Sequence, residues 1–183
     1  MRYPGHIGPM PAALLGEPLQ FIAADHERQR LLCVLLDSIA DAEVVQANAV
    51  ADAVAYMGHD MQTHIIDEEE DLFPLLRRRA RPNDEIDEAL GRLAADHATD
   101  ARLAEVIMRG LQAWQDHPKP VMSTSLRENL RAFAEGQRQH LALENAIILP
   151  MARLRLTAPD LASLAARMAA RRGLALEQRV VHA

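Results

Sequence analysis

The sequence is poor in aromatic residues and has one cysteine. Phe, Trp and Tyr make up 3% of the 183 residues, so any core must be built from Leu, Ile, Val, Ala and Met. Ala, Leu and Met are strong helix formers, which favours a helical protein. The single cysteine, Cys33, excludes an intramolecular disulfide framework. We expect it to be buried among apolar side chains.

Long hydrophobic runs and a general excess of basic residues are also lacking. No run approaches the roughly 18 apolar residues of a membrane-spanning helix, and Gly and Pro interrupt residues 1–18, so no signal-peptide core is expected there. We therefore expect a soluble cytoplasmic protein. The net charge of -6 argues against nucleic acid as a partner. One basic cluster, residues 77–81, is interpreted as the complement of a helix carboxyl end; a phosphate or partner site is the alternative.

Breaker clusters divide the chain into helical segments. The pattern predicts an all-α protein, an antiparallel up-and-down four-helix bundle with a short C-terminal fifth helix and an irregular N-terminal arm. The arm covers residues 1–18, the bundle 19–156, and the short helix with its tail 157–183. The predicted helices cover residues 19–40, 44–80, 83–115, 125–156 and 157–173.

Helix starts are predicted from capping residues. Asn83 is a plausible cap for the third helix. Ser125 with Glu128 has capping-box spacing at the start of the fourth helix, and Thr157 with Asp160 can start the fifth.

Two segments have the same arrangement of polar residues. HIIDEEEDLFP at 64–74 and HLALENAIILP at 140–150 each have a His, a Glu four residues later and a Pro ten residues after the His. A step of four residues turns about 400° in a helix, so the His and Glu of each segment share one face. Each proline should remove one helical hydrogen bond and kink its helix.

The other two long helices carry a second repeat. IAADH at 22–26 returns as LAADH at 93–97, so each of the four helices brings one His to its apolar face. In antiparallel hairpins, residues equidistant from a turn lie at the same level, which holds for all four of these histidines. Any one of them could be an ordinary core histidine, but together they predict a metal site. Its predicted ligands are His26, His64, Glu68, His97, His140 and Glu144.

The other histidines are not expected to bind metal. His59 should face away from the bundle axis, His117 lies in a proline-containing loop, and His6 and His182 lie in the terminal segments. The acidic run at 69–71 is expected to be a solvated face, although one member could orient a metal ligand from outside.

Four imidazoles and two carboxylates are too many for one tetrahedral zinc ion and suit two first-row ions bridged by the two Glu. The chain has one His on each of the first and third helices and His-x-x-x-Glu on each of the second and fourth. With this motif, and with LFP at 72–74 and ILP at 148–150, residues 18–152 resemble the hemerythrin-like (HHE) cation-binding domains. The resemblance implies a non-haem centre of two iron ions with an oxo or hydroxo bridge that binds dioxygen, nitric oxide or a related small molecule. Manganese or zinc could replace iron.

One position departs from the oxygen-carrying members of that family. They have a fifth His one turn after the His of the third helix, where this chain has Ala101. The departure disfavours simple reversible oxygen carriage and favours sensing, detoxification or iron handling.

These patterns are compatible with three functions. The first is a binding module that senses or sequesters oxygen, nitric oxide or iron, and the second is a di-iron enzyme that consumes peroxide or nitric oxide. The third is an interaction protein in which an amphipathic C-terminal helix docks on a protein partner or a second subunit, as in a homodimer. The apolar residues of that helix are Leu161, Leu164, Ala165 and Met168.

Overall fold

The computed structural model describes residues 6–175, and within that range it contains helices and no strand, so the all-α prediction is confirmed. The α-helices are α1 Pro18–Asp41, α2 Ala47–Ala55, α3 Met61–Ile66, α4 Phe73–Arg79, α5 Ile86–Asp116, α6 Thr124–Leu143, α7 Leu149–Arg155 and α8 Ala158–Arg171.

Four rods are formed from these helices. The helices α1 and α5 are rods by themselves. The second rod, residues 47–79, joins α2, α3 and α4 through two π-helical turns, Tyr56–Asp60 and Asp67–Leu72. The fourth rod, residues 124–155, joins α6 and α7 through a third π-helical turn, Glu144–Ile148. The turn Asp67–Leu72 is called the Glu68 π turn, and the turn Glu144–Ile148 is called the Glu144 π turn.

The Glu68 and Glu144 π turns explain how the rods accommodate their prolines. The N–H of Phe73 donates to the carbonyl of Glu68, and that of Leu149 to the carbonyl of Glu144, five residues back in each case. The next residue in each rod is a proline, Pro74 after Phe73 and Pro150 after Leu149. Because proline has no N–H to continue the α-helical pattern, the wider turn ends where the proline begins. The sequence therefore predicted a disturbance at each proline but not its π-helical form.

Two helix starts differ from their prediction. Asn83 lies in a short 3-10 turn. The helix α5 begins only after Glu85, whose backbone is left-handed with a φ of 49°. The cap of α6 is Ser123, whose Oγ accepts a hydrogen bond from the N–H of Leu126 at 3.3 Å. The predicted Ser125 lies inside the first turn instead.

Ion pairs between the first and fourth rods show that these two rods are antiparallel. Along α1 and α6, Asp37 pairs with Arg138 and Asp41 with Arg131. Two apolar clusters fill the interior, one around Leu36 and one at the opposite end of the rods. The buried polar layer lies between these two clusters. Cys33 is buried in the first cluster, as predicted, and burial raises the pKa of its thiol to about 11.

The short helix α8 packs on its own chain. The predicted helix start at Thr157 and Asp160 is confirmed, and these two residues form a capping box. Leu164 and Met168 are fully buried in the second apolar cluster. The apolar face that suggested a partner or second subunit is therefore covered by the bundle itself. Arg79, from the basic cluster at the end of α4, donates two hydrogen bonds to Asp160, at 2.8 Å and 3.0 Å.

The N-terminal arm is less irregular than predicted. Residues Ala12–Gly16 form a 3-10 turn, and Ile7 is buried against the first cluster. The carbonyl of Gly8 accepts a hydrogen bond from Nε of Arg28 at 2.9 Å. Within the described range, none of the helices has the length and apolar character needed to cross a membrane.

Candidate metal centre

The structure brings all six predicted ligands together in the buried polar layer. Each is at most 5% exposed, and each comes from one of the four rods. His26 lies on α1, His64 on α3, His97 on α5 and His140 on α6, while the two glutamates begin or occupy their π turns.

His26 and His64 form the first pair. Their ring centroids are 5.1 Å apart with the rings edge to face. Nε2 of His26 lies 3.6 Å from Oε1 of Glu68 and 3.3 Å from Oε2 of Glu144. Nε2 of His64 lies 3.4 Å from Oε2 of Glu68. Both imidazoles thus point the same ring nitrogen toward the carboxylates.

His97 and His140 form the second pair, with their Nε2 atoms 2.8 Å apart. Nε2 of His97 lies 3.6 Å from Oε2 of Glu68 and 3.7 Å from Oε1 of Glu144. Nε2 of His140 lies 3.3 Å from Oε1 of Glu144. Each carboxylate therefore faces both histidine pairs.

The donor atoms fall into two groups with the spacing of metal sites. In one, atoms of His26, His64, Glu68 and Glu144 lie within 4.8 Å of one another; in the other, atoms of His97, His140 and Glu144 do so. Sharing of one glutamate between the groups fits two neighbouring ions better than one.

Many of these atoms have no hydrogen-bond partner among the described residues. They include both carboxylate oxygens of Glu68 and of Glu144, both ring nitrogens of His26, and Nε2 of His64. A buried polar atom without a partner costs several kcal/mol in general. Imidazole nitrogens and carboxylate oxygens are good ligands for first-row metal ions, so bound cations would satisfy the atoms that face the centre.

The buried carboxylates and imidazoles of the layer shift one another's pKa values. Burial, together with the charge of Glu68, raises the pKa of Glu144 to about 8. Burial acts in the same direction on Glu68, but the imidazoles of His64 and His26 outweigh it and hold its pKa well below its usual range. Burial lowers the pKa of His64, but Glu68 and Asp25 raise it further, so the net shift is well upward. A cation would compensate the two carboxylates directly.

A family model, the hemerythrin HHE cation binding domain, matches residues 17–152. The chain belongs to this family. The matched range contains all six residues of the buried layer and ends before α8. No curated protein matches the chain. The resemblance predicted from the sequence is thus confirmed, and with it a cation-binding role for the domain.

Around the six buried residues of the HHE domain lies a second set of polar residues, of which the sequence prediction missed Asp25. This residue is 1% exposed, and its Oδ2 lies 3.2 Å from Nδ1 of His64. Its Oδ1 accepts hydrogen bonds from Arg28 at 2.7 Å and from the hydroxyl of Tyr56 at 3.2 Å. Burial opposes ionisation, but His64 and Arg28 lower the pKa of Asp25. A carboxylate on the far ring nitrogen fixes the orientation of a ligand histidine.

The second histidine pair has its own outer partners. Oδ2 of Asp100 lies 3.4 Å from Nδ1 of His140 and accepts a hydrogen bond from Nε2 of Gln137 at 2.7 Å. Nδ1 of His97 lies 2.7 Å from Oε1 of Glu69. Glu69 is therefore the member of the acidic run that contacts one of the six residues, a contact that the sequence analysis left open. The run is not the solvated face that was expected, because Asp71 is 2% exposed.

The repeat did contain a signal for these outer residues, but an imperfect one. Asp25 and Asp96 occupy the same place in the two Ala-Ala-Asp-His copies. Asp25 is buried against His64, whereas the side chain of Asp96 is 44% exposed, 3.8 Å from Arg92. Asp100, one turn later on α5, takes the corresponding role toward His140. The two halves thus use different positions for the same purpose.

The remaining histidines lie away from the centre, as predicted, where the structure describes them. His59 and His117 are exposed, and Nδ1 of His6 lies 3.0 Å from Asp52 at the surface. His182 lies outside the described residues.

Proposed function

We propose that this HHE domain holds a non-haem centre of two iron ions that binds dioxygen, nitric oxide or a related small molecule. The observation that carries the proposal is the position of Glu68 and Glu144. Each carboxylate faces both histidine pairs at 3.3–3.7 Å. Two bridging carboxylates between two pairs of imidazoles form a ligand set for two ions.

The proposed ligands divide by pair. His26 and His64 would hold one iron, His97 and His140 the other, with Glu68 and Glu144 bridging them. When bound, the iron pair would supply redox-active ions at which a small molecule can coordinate, with an oxo or hydroxo bridge between them. The protein's own contribution is to orient the imidazoles through their outer partners and to keep the layer between two apolar clusters, away from bulk water.

Ala101 supports sensing, detoxification or iron handling over reversible oxygen carriage. It follows His97 by one helical turn and is half-buried. Because alanine offers no ligand atom, the iron of the second pair would have two imidazoles rather than three. That leaves room for a water molecule or a small ligand. An open position on the iron would serve equally the second candidate function, an enzyme that consumes peroxide or nitric oxide.

Metal content and an absorption spectrum of protein made in iron-rich medium test the centre. We expect close to two iron atoms per chain and near-ultraviolet charge-transfer bands of an oxo-bridged ferric pair. One tightly bound zinc ion with no iron would contradict the proposal. Steady-state consumption of hydrogen peroxide or nitric oxide by the iron-loaded protein would then favour the enzyme, and its absence the binding module.

A further inference from the structure

The helix α8 contacts the Glu68 π turn although it lies outside the family match, which ends at residue 152. Its apolar face is buried in the bundle, while two arginines of its last turns and the arginine that follows it face the second rod. These residues, Arg167, Arg171 and Arg172, are called the arginine clamp.

The arginine clamp binds two aspartates of the Glu68 π turn. Arg171 donates one hydrogen bond to Asp67 and another to Oδ2 of Asp71, the latter at 2.8 Å. Arg172 donates to Oδ2 of Asp67 at 2.7 Å. Nε of Arg167 lies 2.9 Å from Oδ1 of Asp71.

Both aspartates are buried and flank a proposed ligand. Asp67 is 1% exposed and Asp71 is 2% exposed, so each carboxylate depends on its arginine partners for compensation. A guanidinium that donates two directed hydrogen bonds fixes the position of its acceptors as well as their charge. Asp67 directly precedes Glu68 and Asp71 lies three residues after it, so the clamp fixes both ends of the turn that carries this carboxylate.

Within residues 6–175, the Glu144 π turn has no such arginine contacts. Counted from the glutamate, the residues of the Glu144 π turn that correspond to Asp67 and Asp71 are Leu143 and Ile147. Neither can form an ion pair. Among residues 6–175, the ion pairs of the arginine clamp go only to the Glu68 side.

We propose that the arginine clamp is a positioning element that holds the Glu68 π turn, and with it the Glu68 carboxylate, against the two histidine pairs. A π turn adds one residue to a helix and so rotates the rest of the rod by about 100° relative to an α-helix. Because the clamp contacts Asp67 and Asp71 on either side of Glu68, it favours the π turn over an α-helical register at this carboxylate. The role assigned to Glu68 rests on the proposed metal centre.

The test compares the Arg171→Ala/Arg172→Ala double variant with Arg79→Ala. The control removes another arginine contact of α8, the one to Asp160, which does not touch the Glu68 π turn. Hydrogen exchange of the metal-free proteins is followed by mass spectrometry. In the double variant, we expect amides of the Glu68 π turn to exchange roughly tenfold faster while those of the Glu144 π turn keep their rate. The control should leave both turns unchanged.

Iron binding gives the second measurement. The affinity for Fe²⁺ should fall roughly 10- to 100-fold in the double variant, the range typical of outer-shell changes, and stay unchanged in the control. If the double variant does not fold, Arg171→Lys/Arg172→Lys keeps the charges and loses the forked hydrogen bonds. It should raise exchange in the same turn by a smaller factor.

The outcomes separate the clamp from the metal centre. Exchange that rises equally in both π turns, or in neither, overturns the clamp. Faster exchange of the Glu68 π turn with unchanged iron affinity overturns its positioning role and leaves the centre intact. Wild-type protein that binds no iron overturns the proposed function, and the exchange rates alone then decide whether the arginines hold the turn.

Discussion

At the scale of single residues, the centre depends on which side chains reach the layer and which lie one turn away. His97 and His140 are the only imidazoles that the second donor group contains. His97→Ala should therefore reduce bound iron by at least one atom per chain, measured by elemental analysis of purified protein. His59→Ala is the matched control, because it also removes an imidazole but one that is exposed and lies outside both donor groups. Equal iron in His97→Ala and wild type would contradict the ligand assignment.

Asp100 provides a prediction for the outer residues. It lies beside Nδ1 of His140 and is held by Gln137. Asp100→Asn removes the negative charge with little change of shape, so the affinity for Fe²⁺ should fall roughly 10- to 100-fold in competition with a chelator. Asp96→Asn, four residues earlier on the same helix and 44% exposed, should keep the wild-type affinity. A similar loss in both variants would point to general charge rather than to the contact with His140.

Ala101 permits the opposite experiment, a gain of ligand. Ala101→His places an imidazole four residues after His97 on α5, where the helical repeat returns it to the same face. We expect tighter iron binding, a changed absorption spectrum and longer-lived oxygen adducts. Peroxide consumption, if the wild type has it, should fall. An unaltered spectrum, affinity and adduct lifetime would show that Ala101 does not face the second iron.

At the scale of elements, each proposed bridging carboxylate belongs to a π turn that a proline ends. Pro150→Ala restores an N–H that can donate four residues back, which allows the Glu144 π turn to become α-helical. The change would rotate Glu144 relative to the residues of α7, so iron affinity should fall. Pro159→Ala is the control, because Pro159 lies in the first turn of α8, where a helix has no partner for that N–H. Iron titrations of both variants test this role, and equal affinities would contradict it.

The sequence predicted the helices, and the meeting of six polar side chains in the interior, because both follow from local periodicity. His64 with Glu68, and His140 with Glu144, share a helix face by spacing alone. The π turns were not predicted, because a proline in a helix is compatible with a kink or with a wider turn, and tertiary packing selects between them. Caps such as Ser123 depend on a single hydrogen bond, and the chain offers another serine two residues later.

Asp25 and Asp100 could not be predicted for a different reason. Asp25 directly precedes His26 on its helix, yet it contacts a histidine of another rod. Such a contact depends on how the rods rotate against each other, which spacing within one helix does not reveal. The arginine clamp was not predicted for the same reason, since its arginines and its aspartates are about a hundred positions apart in the sequence.

At the scale of the whole molecule, two similar hairpins form one centre that is supported unequally. The centre lies between two apolar clusters, so every rod contributes to both the core and the ligand set. Within residues 6–175, the ion pairs of the arginine clamp go to the Glu68 side. The two glutamates of the repeat are therefore expected to differ in how firmly they are held, Glu68 more firmly than Glu144.

Metal removal tests the whole arrangement. Without cations, four imidazoles and two carboxylates remain buried, and many of their atoms have no hydrogen-bond partner within residues 6–175. Cations that bind only the folded state should stabilise it by about 3 to 4 kcal/mol when their free concentration is 100 to 1,000 times Kd. We therefore expect a clearly lower Tm for chelator-treated protein in calorimetry, restored by added Fe²⁺ under anaerobic conditions. Mg²⁺ is the control, since it prefers oxygen ligands and should not restore the Tm. If metal-free and iron-loaded proteins melt at the same temperature, the six side chains do not bind metal in the folded layer.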